Sequence, residues 1–172
     1  LLLDFFIIQM RSKGSGGQDF EGIPQVGNHT GGEGMYKSTT RLKVRYAETD
    51  QMGIVHHASY YIYFEAARED FIEGAGIRYV DMEKQGVMMP LAETHCKYFE
   101  GAKYGDFLLV ETTLEELSPV KVVLQYDVIR EEDGKLLARG KTVQPFVESS
   151  TFRIVNLKKK YPEIWEKLES LR

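Results

Sequence analysis

A chain of 172 residues, 42% apolar and 28% charged, has the size and make-up of one ordinary globular domain. Its net charge of −4, from 22 basic and 26 acidic residues, leaves no basic stripe and argues against nucleic acid as a partner. The single cysteine, Cys96, excludes an internal disulfide, fits a reducing, cytoplasmic setting, and is expected to be a small core residue and not a reactive thiol.

Leu1 to Met10 (LLLDFFIIQM) is apolar but shorter than the roughly 20 residues a membrane span needs. It carries Asp4 and no basic region, so it does not resemble a signal peptide. Arg11 to Gly34 is dense in glycine and has no hydrophobic period, which reads as a linker. Met35 then opens a plausible start. Residues 1–34 are therefore expected to be a non-native or disordered extension, and residues 35–172 a single domain.

Along that domain, Leu42, Val44 and Tyr46 alternate with basic residues, which predicts a strand over 40–49. A polar loop, 50–57, follows. Ser59 to Glu73 places Tyr60, Phe64, Ala67 and Phe71 on one helical face, with Ser59 as N-cap and Gly74 or Gly76 as the stop. The first half of this helix is apolar nearly all round, so it should be largely buried. A short helical turn is expected over 81–85. Strands are expected over 87–98 (interrupted by Pro90), 107–117, 120–130 and 135–147, with Asp133-Gly134 as a hairpin turn. Residues 156–171 read as a closing amphipathic helix. One helix followed by meandering strands implies an α+β architecture with an antiparallel sheet.

The loop YAETDQMGIVHHASYY carries the chemistry. Asp50 lies close enough in sequence to Ser59 to fold back beside the helix N-terminus, where free N–H groups and the positive end of the dipole gather. A carboxylate there can act as nucleophile or base, while the N–H groups hold an oxygen as charge develops. Gly53 lets the backbone turn or approach a ligand. On these residues alone, a plain polar turn is as good a reading as an active-site loop. His56 and His57 should point apart if extended, and no third or fourth ligand stands at metal-site spacing, so no metal is expected. His95 reads as a hydrogen-bonded core histidine. Glu65 is a rival carboxylate, with an ion pair to Arg68 as its structural alternative. No dinucleotide fingerprint or P-loop is present, and no cofactor is expected.

The stretch VRYAETDQMGIVHHASYYIYFEAARE resembles the signature of hotdog-fold acyl-CoA thioesterases of the 4-hydroxybenzoyl-CoA thioesterase class. The matching positions are Tyr46, Thr49-Asp50, Gly53, Val55, His57, Ser59-Tyr60, Phe64-Glu65 and Ala67-Arg68. Tyr104-Gly105-Asp106, and Asp133-Gly134 with Leu137-Ala138, match further downstream, so the resemblance covers about residues 40–150. It implies a five-stranded antiparallel sheet wrapped around a long central helix, assembled as a homodimer or homotetramer with active sites between subunits. It implies hydrolysis of an acyl-CoA or acyl-carrier-protein thioester, coenzyme A being part of the substrate. Asp50 would be nucleophile or general base, His57 would supply a carbonyl-polarising N–H, and Tyr46 would orient Asp50. Gly53, Val55, His56, Ser59 and Tyr60 would line the substrate site. Two positions depart from the pattern: His56 is often aromatic in the family, and Ser59 is often Asn. Glu65 or Glu69 would carry the reaction in a subclass that uses a helix carboxylate. Lys97, Lys103, Arg139 and Lys158 to Lys160 qualify on charge to meet the CoA phosphates. A hydratase or dehydratase on the same fold, and a non-catalytic acyl-CoA binder, are the competing readings.

Overall fold

The structure, a computed structural model, describes residues 36–172. The expectation for residues 1–34 lies outside the described residues. Strand β1 spans Lys37–Lys43 and is followed by a 3-10 turn, Tyr46–Glu48. The long helix α1 is Ser59–Glu73 and the short α2 is Tyr79–Lys84. Then come β2 (Val87–Met88), β3 (Glu93–Tyr98), β4 (Phe107–Ser118), β5 (Lys121–Arg130), β6 (Leu136–Pro145) and β7 (Val147–Glu148). Two C-terminal helices, α3 (Leu157–Lys160) and α4 (Pro162–Glu169), close the chain.

Five strands form one sheet in the order β1-β4-β5-β6-β3, every neighbour antiparallel. Alternation turns one face of each long strand inward: Leu108, Val110 and Leu114 on β4, and Val122, Leu124, Tyr126 and Val128 on β5. A bulge between Leu114 and Glu116 breaks the β4–β5 register. Such an extra residue bends a strand and raises its twist, which helps the sheet curl around α1. The helix meets it with the predicted face: Tyr60, Phe64, Ala67 and Phe71 are all buried. Phe64 stacks on Tyr126 at 4.7 Å between ring centroids. Below Phe64 lies Gly140 of β6, where even a Cβ atom would sit 2.3 Å from the ring. A strand glycine here lets helix and sheet approach closely.

Several local expectations need correction. The first strand stops at Lys43, and Glu48 reaches back to accept the Arg45 N–H at 2.7 Å, which tightens 46–48 into a 3-10 turn. The span 87–98 is two strands: Pro90 has no N–H to give a ladder, and β2 pairs with β7 in a separate two-stranded sheet while β3 joins the main one. Pro162 likewise divides the closing helix into α3 and α4, sitting at the first position of α4 where its missing N–H costs nothing. Ile62 of α1 is 53% exposed, although Tyr60, Tyr63 and Phe64 around it are buried, as expected for the first half of that helix. His95 is exposed on β3 and is not a core histidine. Cys96, beside it, is half-buried on the edge strand and packs against the core from there. Among the described residues, no helix is long and apolar enough to cross a membrane.

Candidate active site

The polar loop closes on itself before it enters α1. Thr49 bridges Val55, the Asp50 N–H donates to the Ile54 carbonyl at 2.9 Å, and the Gly53 N–H returns to the Asp50 carbonyl at 2.9 Å. Gly53 sits at φ 73°, the left-handed backbone that a side chain would resist. Asp50 Oδ1 accepts the Met52 N–H at 2.8 Å, the Asx geometry that favours Asp in a turn. Its Oδ2 has no hydrogen-bond partner among the described residues.

Glu48 ties this loop to the helix. Its carbonyl accepts the His56 N–H at 2.8 Å and the Ser59 hydroxyl at 3.3 Å. Its carboxylate, only 7% exposed, accepts the Arg45 N–H, the Arg45 guanidinium and the Tyr63 hydroxyl, the last at 2.8 Å. Burial alone pushes the Glu48 carboxyl pKa up, but Arg45 and Tyr63 more than offset this and hold it below the usual carboxylate range. Burial, reinforced by Glu48, pushes the Tyr63 hydroxyl up, so it remains a protonated donor. A carboxyl whose folded pKa is depressed stabilises the fold fully above about pH 4.3, and that stability is lost as pH falls through the folded value. Melts of wild type and Glu48→Gln are therefore expected to differ at neutral pH and to converge in strong acid. A gap that stays constant down to pH 3 would show that folding does not lower the Glu48 pKa.

A cleft of about 230 Å³ opens where loop, helix start and β3 meet. Asp50, Val55, His57 and Tyr60 line it, together with Met52, Ile54, Tyr98 and the segment Phe99 to Gly101. The Tyr98 hydroxyl donates to the His57 carbonyl at 3.1 Å, and its ring lies edge-on to Tyr60 at 5.2 Å. Among the described residues no backbone hydrogen bond takes the His57 N–H. Asp50 and His57 thus line one cleft, and a carboxylate and a free N–H are the parts that acyl transfer requires.

The other expected site residues stand elsewhere. Tyr46 is 78% exposed, edge-on to Tyr104, and makes no hydrogen bond to Asp50. His56 is not on the cleft wall; its Nδ1 accepts the Ala58 N–H at 3.2 Å, satisfying one of the free donors at the helix start. Ser59 lies inside the first turn, after N-cap Ala58, because its hydroxyl goes to Glu48 and not to a helix N–H. The two imidazoles do not diverge: their centroids are 4.1 Å apart. Among the described residues no three His, Cys, Asp or Glu side chains are grouped to hold a metal. Glu65 and Glu69 are exposed on α1, and Arg68 bonds the Tyr79 hydroxyl at 3.1 Å instead of pairing with Glu65. Burial pushes the Cys96 thiol up, away from reactivity at neutral pH. Of the candidate cations, Arg139 is held by Asp127 and Lys160 by Glu148, while Lys97 stands over the Phe99 ring at the cleft. The wall from Tyr98 to Gly101 and the brace at Glu48 and Tyr63 were not singled out from sequence. A buried-face tyrosine one turn into an apolar helix, aligned with an acidic residue before the loop, is the signal that could have found the brace.

A five-stranded antiparallel sheet wrapped on one long helix is the hotdog arrangement. The Thioesterase-like superfamily matches residues 44–168, and the chain belongs to that family of thioester hydrolases. It is 34% identical over 129 residues to YneP of Bacillus subtilis (strain 168), provisionally named an acyl-CoA thioesterase, across 75% of this chain and 93% of that protein. A crystal structure of DHNA-CoA thioesterase from Staphylococcus aureus superposes with a TM-score of 0.73 at 34% identity, covering 78% of this chain and 92% of that one. The hypothetical protein TT1821 from Thermus thermophilus superposes equally well, TM-score 0.73, at 41% identity over 78% of this chain and 99% of that one.

Proposed function

We propose that the protein hydrolyses acyl-CoA thioesters to the free acid and CoA, with Asp50 as the reacting carboxylate. The observation that carries this is the shared cleft wall: Asp50, His57 and the start of α1 face one space. In this reading the His57 N–H donates to the thioester carbonyl oxygen, which takes up negative charge as the carbonyl carbon becomes tetrahedral. Asp50 either attacks that carbon, giving an anhydride that water opens, or draws a proton from attacking water. Either route expels the CoA thiolate. Met52, Ile54, Tyr60, Tyr98 and Phe99 offer the acyl group an apolar wall.

An assembly of two or four copies, with active sites completed between them, is part of the proposal. β3 is an outer strand whose ladder is open on one side, and Leu91, Tyr98, Phe99 and Ile62 are exposed near it or on α1. Open edges and grouped apolar side chains favour pairing with another chain. Sedimentation at micromolar concentration should give a dimer or tetramer; a monomer there would remove this part of the reading. The lone half-buried thiol supports a reducing, cytoplasmic setting.

Free-thiol release from short, long, branched and aromatic acyl-CoAs tests the activity. Hydration of an enoyl thioester without thiol release would instead make the protein a hydratase. Tight binding with neither product would make it an acyl-CoA carrier.

A further inference from the structure

We infer that Glu48 is a positioning residue for this hydrolysis, locking the Asp50 loop onto the first turns of α1 and so setting Asp50 against the His57 N–H. The inference rests on the reading of Asp50 as the reacting carboxylate. Three features carry it. Glu48 is nearly buried, yet it lies two residues from Asp50, at the point where the loop leaves the 3-10 turn. Its backbone and side chain grip different parts of the entry to the helix: the carbonyl holds the His56 N–H and the Ser59 hydroxyl, and the carboxylate holds the Tyr63 hydroxyl a turn further on. Its remaining carboxylate capacity is filled by Arg45, so both ends of the loop are anchored to one residue, the far end by its carbonyl and the near end by its side chain. Tyr63 also packs in the apolar core, and its hydroxyl is the polar end that Glu48 takes up. Together these contacts fix where a loop carboxylate stands relative to an unpaired N–H at the start of a helix.

A carboxylate is needed because every partner is a donor. An amide at this position would turn an N–H toward Arg45 or Tyr63. A reacting group displaced by about 1 Å can lose on the order of 10²-fold in rate, while the substrate still binds.

The test compares Tyr63→Phe, Glu48→Gln and Asp50→Asn, using free-thiol release from the best acyl-CoA. Tyr63→Phe removes only the helix-side bond and keeps the ring, which packs on Tyr60 at 5.8 Å. It is expected to fold, to lose about 10-fold in kcat, and to keep KM within about threefold. Glu48→Gln is expected to lose about 10²-fold in kcat with a similarly small change in KM. Glu131→Gln, which breaks a surface pair with Arg41 that includes no cleft or brace residue, should keep the wild-type kcat. If Tyr63→Phe keeps the wild-type kcat, or raises KM alone, Glu48 does not position Asp50. If Asp50→Asn is inactive in that same series, the functional reading stands without the brace. If Asp50→Asn is active, the functional reading fails and the inference fails with it.

Discussion

Asp50→Asn is expected to fold as wild type does and to lose thioester hydrolysis by at least about 10²-fold, the scale of a removed general base. The fold should survive because the loop uses Asp50 in a way that Asn can copy. Its Oδ1 accepts the Met52 N–H, and an amide oxygen accepts it equally well. The carboxylate forms no ion pair among the described residues, so no opposite charge is stranded by the change. The reaction should not survive, because an amide neither attacks a carbonyl carbon nor takes a proton from water. Thiol release and thermal melting, measured on the same preparation, separate the two effects. A variant that melts normally and still hydrolyses would move the chemistry to Glu65 or Glu69, although neither lines the cleft.

Gly140→Ala is expected to be the most damaging small substitution in the sheet. The new methyl would stand 2.3 Å from Phe64 Cζ and 2.5 Å from Cε2, well inside contact distance. Phe64 has nowhere to retreat, since it is 1% exposed and stacked on Tyr126. Overpacking a tight core costs about 1–3 kcal/mol, and this site belongs at the upper end of that range. For a domain of this size, that lowers the melting midpoint by roughly 10 °C. Shrinking the ring should relieve the clash, so Phe64→Leu is expected to cost less in the Gly140→Ala background than alone. A Gly140→Ala variant with a wild-type midpoint would mean that α1 can lift from the sheet at no cost.

The strands and the central helix were legible because burial on one face writes a period into the sequence, two for β4 to β6 and 3.6 for α1. The residues Asp50, Val55, His57 and Tyr60 were legible as a block because they fall in one short stretch that matches the family signature, whereas the residues alone left a polar turn equally good. What stayed hidden depends on long-range pairing. Tyr98 to Gly101 reads only as the end of a strand until the β3–β6 ladder carries it to the mouth of α1. Tyr46 was misjudged in place because the strand period carried it inward, whereas the Arg45–Glu48 turn swings it outward. Gly140 gave a signal that could have been used, since a glycine inside a strand often marks a close neighbour.

The groups that would react and the brace that sets them lie within one unbroken stretch, from Arg45 to Tyr63. One side of the wall they face, from Phe99 to Gly101, follows the outermost strand of the sheet. Part of the acyl wall, at Phe99 and Glu100, is therefore separate in sequence from the reacting groups, while Met52, Ile54 and Tyr60 share their stretch. Changes at Phe99 or Glu100 can reshape what fits without disturbing how the bond is broken.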